Sequence, residues 1–342
     1  MNMINSTNPK SIDVDEFGLR LRSILLKEDE SAILISNLID SDQAPDIHNI
    51  NCEGYGRIWH KSILPEENWG EIVLPYYPAA WKLGISREEA STIQVFQSAG
   101  CNYRCWFCFV DYRLLVGDIK KAKYFTCDSL VNSLKKEAFI PKVIRLSGGQ
   151  PDLTPEWTPW MMKALINANL HETTYLWLDD NLSNDYAWRV LRDEDWELMR
   201  SYKNFGRVGC LKGFDPSSFH FNTKAPPEHF YRQLEILKRL LETRLDLYLY
   251  LVLTSNDTSE LAVKMEKLLD SLQNIHPNLP LRVAPLKIKP YSPTVARMKS
   301  SEELAVAIEN SQYHALMAWQ KALDQRFSAQ ELSLPCYEVK IH

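Results

Sequence analysis

The chain has 342 residues, 45% hydrophobic and 24% charged, and its 39 basic and 44 acidic residues give a net charge of −5. That balance supplies a full-sized core for one or two domains; it excludes a mainly disordered chain and a generic nucleic-acid binder held by bulk charge. No apolar run approaches the roughly 18 residues of a membrane span, and MNMINSTNPK puts no basic cap before an apolar segment, so no span and no secretory signal are expected and the chain is placed in the cytoplasm.

In chain order, residues 1–90 read as an N-terminal extension. A polar start gives way to RIWHKSILPEENWGEIVLPYYPAAW, whose Trp59, Trp69, Tyr76, Tyr77 and Trp81 predict an ordered lobe packed on the central part of the chain. Residues 91–295 alternate between strand and helix patterns. Strands are predicted over residues 93–98, 143–147, 175–179, 207–211, 247–253 and 281–286, the fifth nearly all apolar, as when both faces are covered. Between them, Asp128 is placed to cap a helix carrying Leu130 and Leu134, and helices are predicted over residues 157–168 and 193–201. Phe230, Leu234, Leu237 and Leu241 mark a helix face, as do Leu261, Met265, Leu268 and Leu272. Six strand–helix units imply an α/β fold, a parallel sheet closing partly into a (β/α)6, TIM-like barrel with its chemistry at the C-terminal strand ends. Residues 296–342 read as a C-terminal helical segment carrying Leu304, Ile308, Leu316, Trp319 and Leu323.

The seven cysteines are unevenly placed. Cys52, Cys127, Cys210 and Cys336 are solitary, whereas Cys101, Cys105 and Cys108 fall within eight residues. A disulfide framework belongs to small secreted chains, so the trio reads as a metal site, with structural zinc and an iron–sulfur cluster both open. A structural zinc site is closed by four protein ligands. An iron–sulfur cluster on three thiolates keeps one iron free for an outside ligand, which is a chemical reason for three cysteines.

The segment Gln97-Ser-Ala-Gly-Cys101-Asn-Tyr-Arg-Cys105-Trp-Phe-Cys108 has the form C-x3-C-x-aromatic-C, with Phe107 at the aromatic position. It resembles the signature of the radical S-adenosylmethionine (radical SAM) superfamily. The resemblance implies a 4Fe-4S cluster on the three thiolates, with the amino and carboxylate groups of SAM on the fourth iron. Val143-Ile-Arg-Leu-Ser147-Gly148-Gly149-Gln150-Pro151 resembles the family's GGEP motif, whose backbone receives the SAM amino group, with Gln150 in place of Glu. Glycines there leave room for a ligand at the backbone. Within the superfamily the chain is similar to the glycyl-radical-enzyme activases, such as the pyruvate formate-lyase activating enzyme. Leu178-Asp179-Asp180-Asn181 stands where that branch has L-D-T-N-G, Cys210-Leu211-Lys212 where it has D-L-K, and Thr254-Ser255-Asn256-Asp257 where many members have P-G-x-N-D. Leu182 replaces the glycine, Cys210 the acid, and no histidine follows the sixth strand.

The resemblance implies reductive cleavage of SAM to a 5′-deoxyadenosyl radical that abstracts hydrogen from a small-molecule or peptide substrate. Two other functions stay open, an activase for a glycyl-radical partner enzyme and a non-enzymatic, zinc-stabilised binding module. The cluster is expected on Cys101, Cys105 and Cys108, and SAM on Phe107, Ser147, Gly148, Gly149, Gln150, Asp179, Asn181, Lys212 and Thr254; no catalytic side chain is assigned. An electron donor such as flavodoxin or ferredoxin is also implied. Arg104, Arg113, Lys120, Lys121 and Lys123 against Asp111 and Asp118 leave a local charge of five minus two, or +3, just beyond the first cysteine. Lys120, Lys121 and Lys123 are expected to dock that acidic partner.

Overall fold

The computed structural model describes residues 13–47, 49–62, 64–66, 68–69, 73–299 and 301–342. Its main sheet has eight strands. Six are parallel and neighbour one another in chain order: Thr92–Gln97, Val143–Ser147, Tyr175–Asp180, Phe205–Leu211, Leu247–Val252 and Val283–Leu286. They are called the first to sixth parallel strands below. Gly56–His60 and Asn49–Asn51 extend the sheet antiparallel beside the first. Every residue of the fourth and fifth parallel strands is buried, the condition that produces continuous apolar runs.

Alternation sorts the side chains. Ile144, Leu146, Leu176 and Leu178 pack under the helices Cys127–Leu134, Trp157–Asn167 and Asp193–Ser201. Val143, Tyr175, Trp177, Tyr248 and Tyr250 face the other way. There Trp177 and Tyr248 stack with centroids 5.4 Å apart, and Tyr175 lies 6.2 Å from Trp177. The sheet is open, its outer edges being Asn49–Asn51 and Val283–Leu286. The stretch after Gly56–His60 crosses to the far side. Trp69 donates its indole N–H to the Pro285 carbonyl at 3.2 Å, and the Leu74 carbonyl accepts from the Tyr250 hydroxyl at 3.0 Å. Glu66 reaches both sides, with Lys61 at 3.8 Å and Lys289 at 2.7 Å. Glu66, Trp69 and Leu74 therefore tie this stretch to the fifth and sixth parallel strands and the segment after them.

One local expectation changes, and one sheet is added. Thr126, not Asp128, caps the helix Cys127–Leu134, its hydroxyl accepting from the Ser129 N–H at 3.2 Å, while Asp128 sits in the first turn against the helix dipole. A second, three-stranded sheet of Leu26–Lys27, Ala32–Ser36 and Ala122–Thr126 was not predicted. Lys123 belongs to its last strand, and Lys120 and Lys121 to the turn before it. The closing helical segment is Gln312–Arg326 preceded by Glu302–Val306 and a π turn. Arg326 ties it to Glu266, Asp270 and Gln273 of the helix Leu261–Ile275.

One ionic group joins the C-terminal strand ends. Arg207 of the fourth strand is buried between Asp180 of the third, at 2.6 Å, and Asp152 beyond the second. Two carboxylates share one guanidinium. Burial pushes the Asp152 carboxyl up to about 6; Arg207 opposes that shift and the Asp180 charge adds to it. Removing Arg207 would leave both acids uncompensated. Arg207→Met is expected to cost roughly 3–5 kcal/mol in denaturant unfolding at neutral pH. The Asp152 carboxyl, already raised, would lose the Arg207 charge that opposes the rise, and a folded pKa above the unfolded one is a contribution present at low pH and lost as pH rises. The deficit relative to wild type should therefore shrink as pH falls toward 5.

Candidate active site

The cysteine loop leaves the end of the first parallel strand and is held from outside by its backbone. The Arg104 and Trp106 N–H groups donate to the carbonyls of Thr223 and Asn222 at 3.3 and 3.2 Å. Arg297 donates to the carbonyls of Trp106, Cys108 and Val110, and the Tyr112 hydroxyl to that of Cys105 at 2.8 Å. Cys101, Cys105 and Cys108 all line one cavity of about 430 Å³ at the C-terminal strand ends, a size typical of small-molecule sites. Burial raises the Cys105 and Cys108 thiols above their ordinary range; for Cys105 the Lys212 charge opposes this. Among the described residues no three metal-ligating side chains converge on a single ion-sized point.

Of the other predicted residues, Phe107, Ser147, Gly148, Gly149, Gln150, Asp179, Asn181 and Lys212 line the same cavity. Thr254 does not. It is buried behind the loop, where its hydroxyl donates to Asn222 Oδ1 at 2.8 Å and its carbonyl accepts from Asn222 Nδ2 at 2.9 Å. Asn222 Oδ1 also accepts the Trp106 indole N–H at 3.0 Å, so Thr254 reaches the cysteine loop only through Asn222.

The glycines also allow a close approach within the chain itself. Gly148 has φ of 87°, and a Cβ there would strike the Gln97 side chain; a Cβ on Gly149 would strike the Gly100 carbonyl. Gly148 thus packs on the end of the first parallel strand and Gly149 on the cysteine loop that leaves it, which fixes the two loops to each other. Gln150 completes the joint. Its N–H donates to the Gly100 carbonyl at 2.7 Å, its Nε2 to Asp180 at 2.7 Å, and its Oε1 accepts the Asn181 N–H at 2.8 Å. Leu182, at the place of the activase glycine, holds φ of 55°, so the left-handed turn persists with a buried leucine in it.

Asp179 is fully engaged. Its carboxylate accepts from Arg145 at 2.7 and 2.9 Å, from the Ser147 hydroxyl, and from the Trp177 indole at 2.9 Å. Asn181 Nδ2 lies 3.6 Å from Cys101 Sγ, while Asn181 Oδ1 is a buried acceptor with no partner among the described residues. Lys212 Nζ sits 5.9 Å from the centroid of the Phe107 ring. Burial depresses its ammonium, but the thiols of Cys210 and Cys105 outweigh this and hold it above the lysine range.

Arg57, Trp59, Arg145, Cys210 and Tyr250 also line the cavity and were missed. Two had a signal. Arg145 lies two residues before Ser147 and so shares its face, and Cys210 stands two before Lys212. Arg57 and Trp59 had none, because nothing local says that this strand joins the main sheet. Of the basic residues near the loop, Arg113 is engaged by Asp111 and Asp42, and Arg104 by the carbonyls of Cys101 and Tyr103. Lys120 and Lys123 stay exposed.

Residues 96–268, just over half of the chain, match the family model of the radical SAM superfamily. The chain belongs to that superfamily. Among solved structures, this radical SAM chain is similar to Streptococcus suis SuiB bound to S-adenosylmethionine, at 16% identity and a TM-score of 0.36, over 53% of this chain and 37% of that one. It is also similar to a histidine-tagged anSMEcpe with bound AdoMet, at 15% identity and a TM-score of 0.40, over 58% and 49%. It thus spans less than half the length of either. No curated protein matches it. Membership implies an enzyme that uses SAM and an iron–sulfur cluster, which replaces the non-enzymatic zinc module. No helix among the described residues is long and apolar enough to cross a membrane.

The residues present fit those groups. Three thiols of one loop are a soft donor set for iron, and the lone Asn181 acceptor and the Lys212 cation suit the ammonium or hydroxyls and the carboxylate of SAM. Gln150 also accounts for the departure from the family's Glu, since its amide donates to Asp180, which a carboxylate could not do. Gln150→Glu is expected to destabilise the fold by roughly 2–4 kcal/mol at pH 8 in denaturant unfolding. The new carboxyl's folded pKa would be raised, so its contribution is lost as pH rises and the penalty should lessen toward pH 5.

Proposed function

We propose that the chain holds a 4Fe-4S cluster on Cys101, Cys105 and Cys108 and cleaves SAM reductively beside it, to abstract hydrogen from a small molecule bound in the same cavity. The observation that carries this reading is the loop itself: three thiols open on a cavity whose rim also presents Gly148, Gly149, Asn181 and Lys212. When bound, the cluster and SAM supply the electron and the 5′-deoxyadenosyl radical.

The chain's own residues bind and orient. Asn181 donates toward Cys101 with its amide nitrogen, tempering the charge on that thiolate, and keeps its oxygen for an ammonium or hydroxyl of SAM. Lys212 supplies a fixed cation for the SAM carboxylate, its ammonium held over the Phe107 face. Asp179, tied by Arg145, Ser147 and Trp177, is a positioning carboxylate rather than a proton carrier. Trp177 and Tyr248, both fully buried with ring centroids 5.4 Å apart, pack in the apolar core on the same side of the sheet. A flavodoxin- or ferredoxin-like donor would meet the turn at Lys120–Lys123, next to the bridge between Gly100 and Val116. Cys210, the fourth thiol on the cavity, lies on a strand beside Lys212 and is read as a wall residue.

Anaerobic reconstitution should load about four irons per chain and, with dithionite, release 5′-deoxyadenosine from SAM. Cys101→Ala, Cys105→Ala and Cys108→Ala should each lose the bound iron and the cleavage, whereas Cys210→Ser should keep the iron. Full iron loading in any of the three alanine variants, or loss of it in Cys210→Ser, would move the cluster off this loop.

A further inference from the structure

One wall of the cavity carries cations, Arg57 foremost, whose donors the cofactor reading leaves unassigned. Arg57 lies on the antiparallel strand Gly56–His60, opposite Val95 of the first parallel strand. Its guanidinium carbon sits 4.9 Å from the centroid of the Phe109 ring, and its Nε is buried with no hydrogen-bond partner among the described residues. An aromatic face steadies a guanidinium without consuming its N–H donors. Beside it, Arg145 stacks 5.2 Å from the Trp59 ring centroid, but its donors are committed to Asp179. Burial and the Arg145 charge lower Arg57 to about 10, which leaves it cationic at neutral pH.

Glu66 completes this wall. It is one carboxylate among three ammonium groups, with Lys61 at 3.8 Å, Lys287 at 3.7 Å and Lys289 at 2.7 Å. The Lys61 side chain is only 8% exposed. The nearby carboxylates do not balance the wall. Asp179 is tied to Arg145, and Asp46 already accepts from the Ser292 N–H and hydroxyl at 2.8 and 3.3 Å. Among the described residues that line the cavity, Arg57, Lys61, Arg145, Lys212, Lys287 and Lys289 thus face Asp46, Glu66, Asp179 and Asp180, six cations against four anions.

We propose that this wall is a substrate subsite for an oxyanion, a carboxylate or phosphate carried by a small molecule, with Arg57 as its principal grip. The assignment rests on the radical SAM reading of the cavity and names the class of molecule it takes. Buried donors left unpaired cost folding free energy, and a ligand oxygen on Arg57 removes that cost while meeting the guanidinium fork. Fixed positive charge in a confined wall also concentrates anions there. Arg57, Lys61, Lys287 and Lys289 lie outside residues 96–268, the part shared with the superfamily, so this wall belongs to what the chain adds to that shared core.

Calorimetric titration of the full chain with inorganic phosphate and with malonate, against chloride at matched ionic strength, tests the subsite; SAM is titrated in parallel. One of the two anions should bind saturably, phosphate marking a phosphoryl ligand and malonate a carboxylate. Arg57→Gln should weaken that binding about tenfold, and more than it weakens SAM. Lys289→Gln, on a half-exposed side chain, should weaken it about threefold and carries the test if Arg57→Gln does not fold. The proposal is overturned if neither anion binds beyond chloride, if the variants bind the anion as tightly as wild type, or if Arg57→Gln loses SAM to the same degree. A chain that loads iron and cleaves SAM yet ignores both anions overturns the subsite alone. One that binds an anion through Arg57 but takes up no iron supports the oxyanion site and overturns the radical SAM reading.

Discussion

Arg207 is the buried charge around which the site is assembled. It holds Asp180 at the end of the third parallel strand and Asp152 beyond the second, and Asp180 in turn holds the side chain of Gln150. Gln150 binds the Gly100 carbonyl through its backbone and the Asn181 N–H through its side chain. The chain of contacts thus runs across four neighbouring strand ends, from the fourth to the loop that carries the cysteines. A buried ionic group of this kind contributes little as pure stabilisation. Its effect is geometric, because each partner has one hydrogen-bonded position and the strand ends cannot slide independently.

Two more amides extend the same logic. Gln233, from the helix His229–Glu242, donates to the carbonyls of Asn181 and Cys210 and accepts the Lys212 N–H at 3.1 Å. Asn222 joins the carbonyls of Lys212 and Thr254 to the Trp106 indole. Gln150, Asn222 and Gln233 therefore set the backbone beneath the side chains assigned to the cofactors. The cavity they support is lined by two groups of opposite character. One gathers thiols around Lys212, and the other gathers arginine and lysine around too few carboxylates. A cationic sulfonium cofactor at the first and an anionic substrate at the second would each meet complementary charge.

The parallel strands and their helices were legible because a strand buried on both faces is written as a continuous apolar run, as in Leu247–Val252. The cysteine loop was legible because its three cysteines lie within eight residues of one another. What was not legible depended on distant pairing. Gly56–His60 carries Arg and His beside Ile and Trp, and only its register with Thr92–Gln97 turns Arg57 into the cavity. The packing of Gly149 on the Gly100 carbonyl was not legible either, because a sequence does not say which distant backbone comes near it. Thr254 followed a motif position, whereas its hydroxyl was already committed to Asn222, thirty-two residues upstream.

The central claim is that three loop thiolates leave one iron open to SAM, and the spin of the reduced cluster reads this directly. Electron paramagnetic resonance of the dithionite-reduced, reconstituted chain should show a 4Fe-4S signal whose g values shift when SAM is added. A reduced cluster whose spectrum is unchanged by saturating SAM would mean that all its irons are already closed by protein ligands, and would contradict the account.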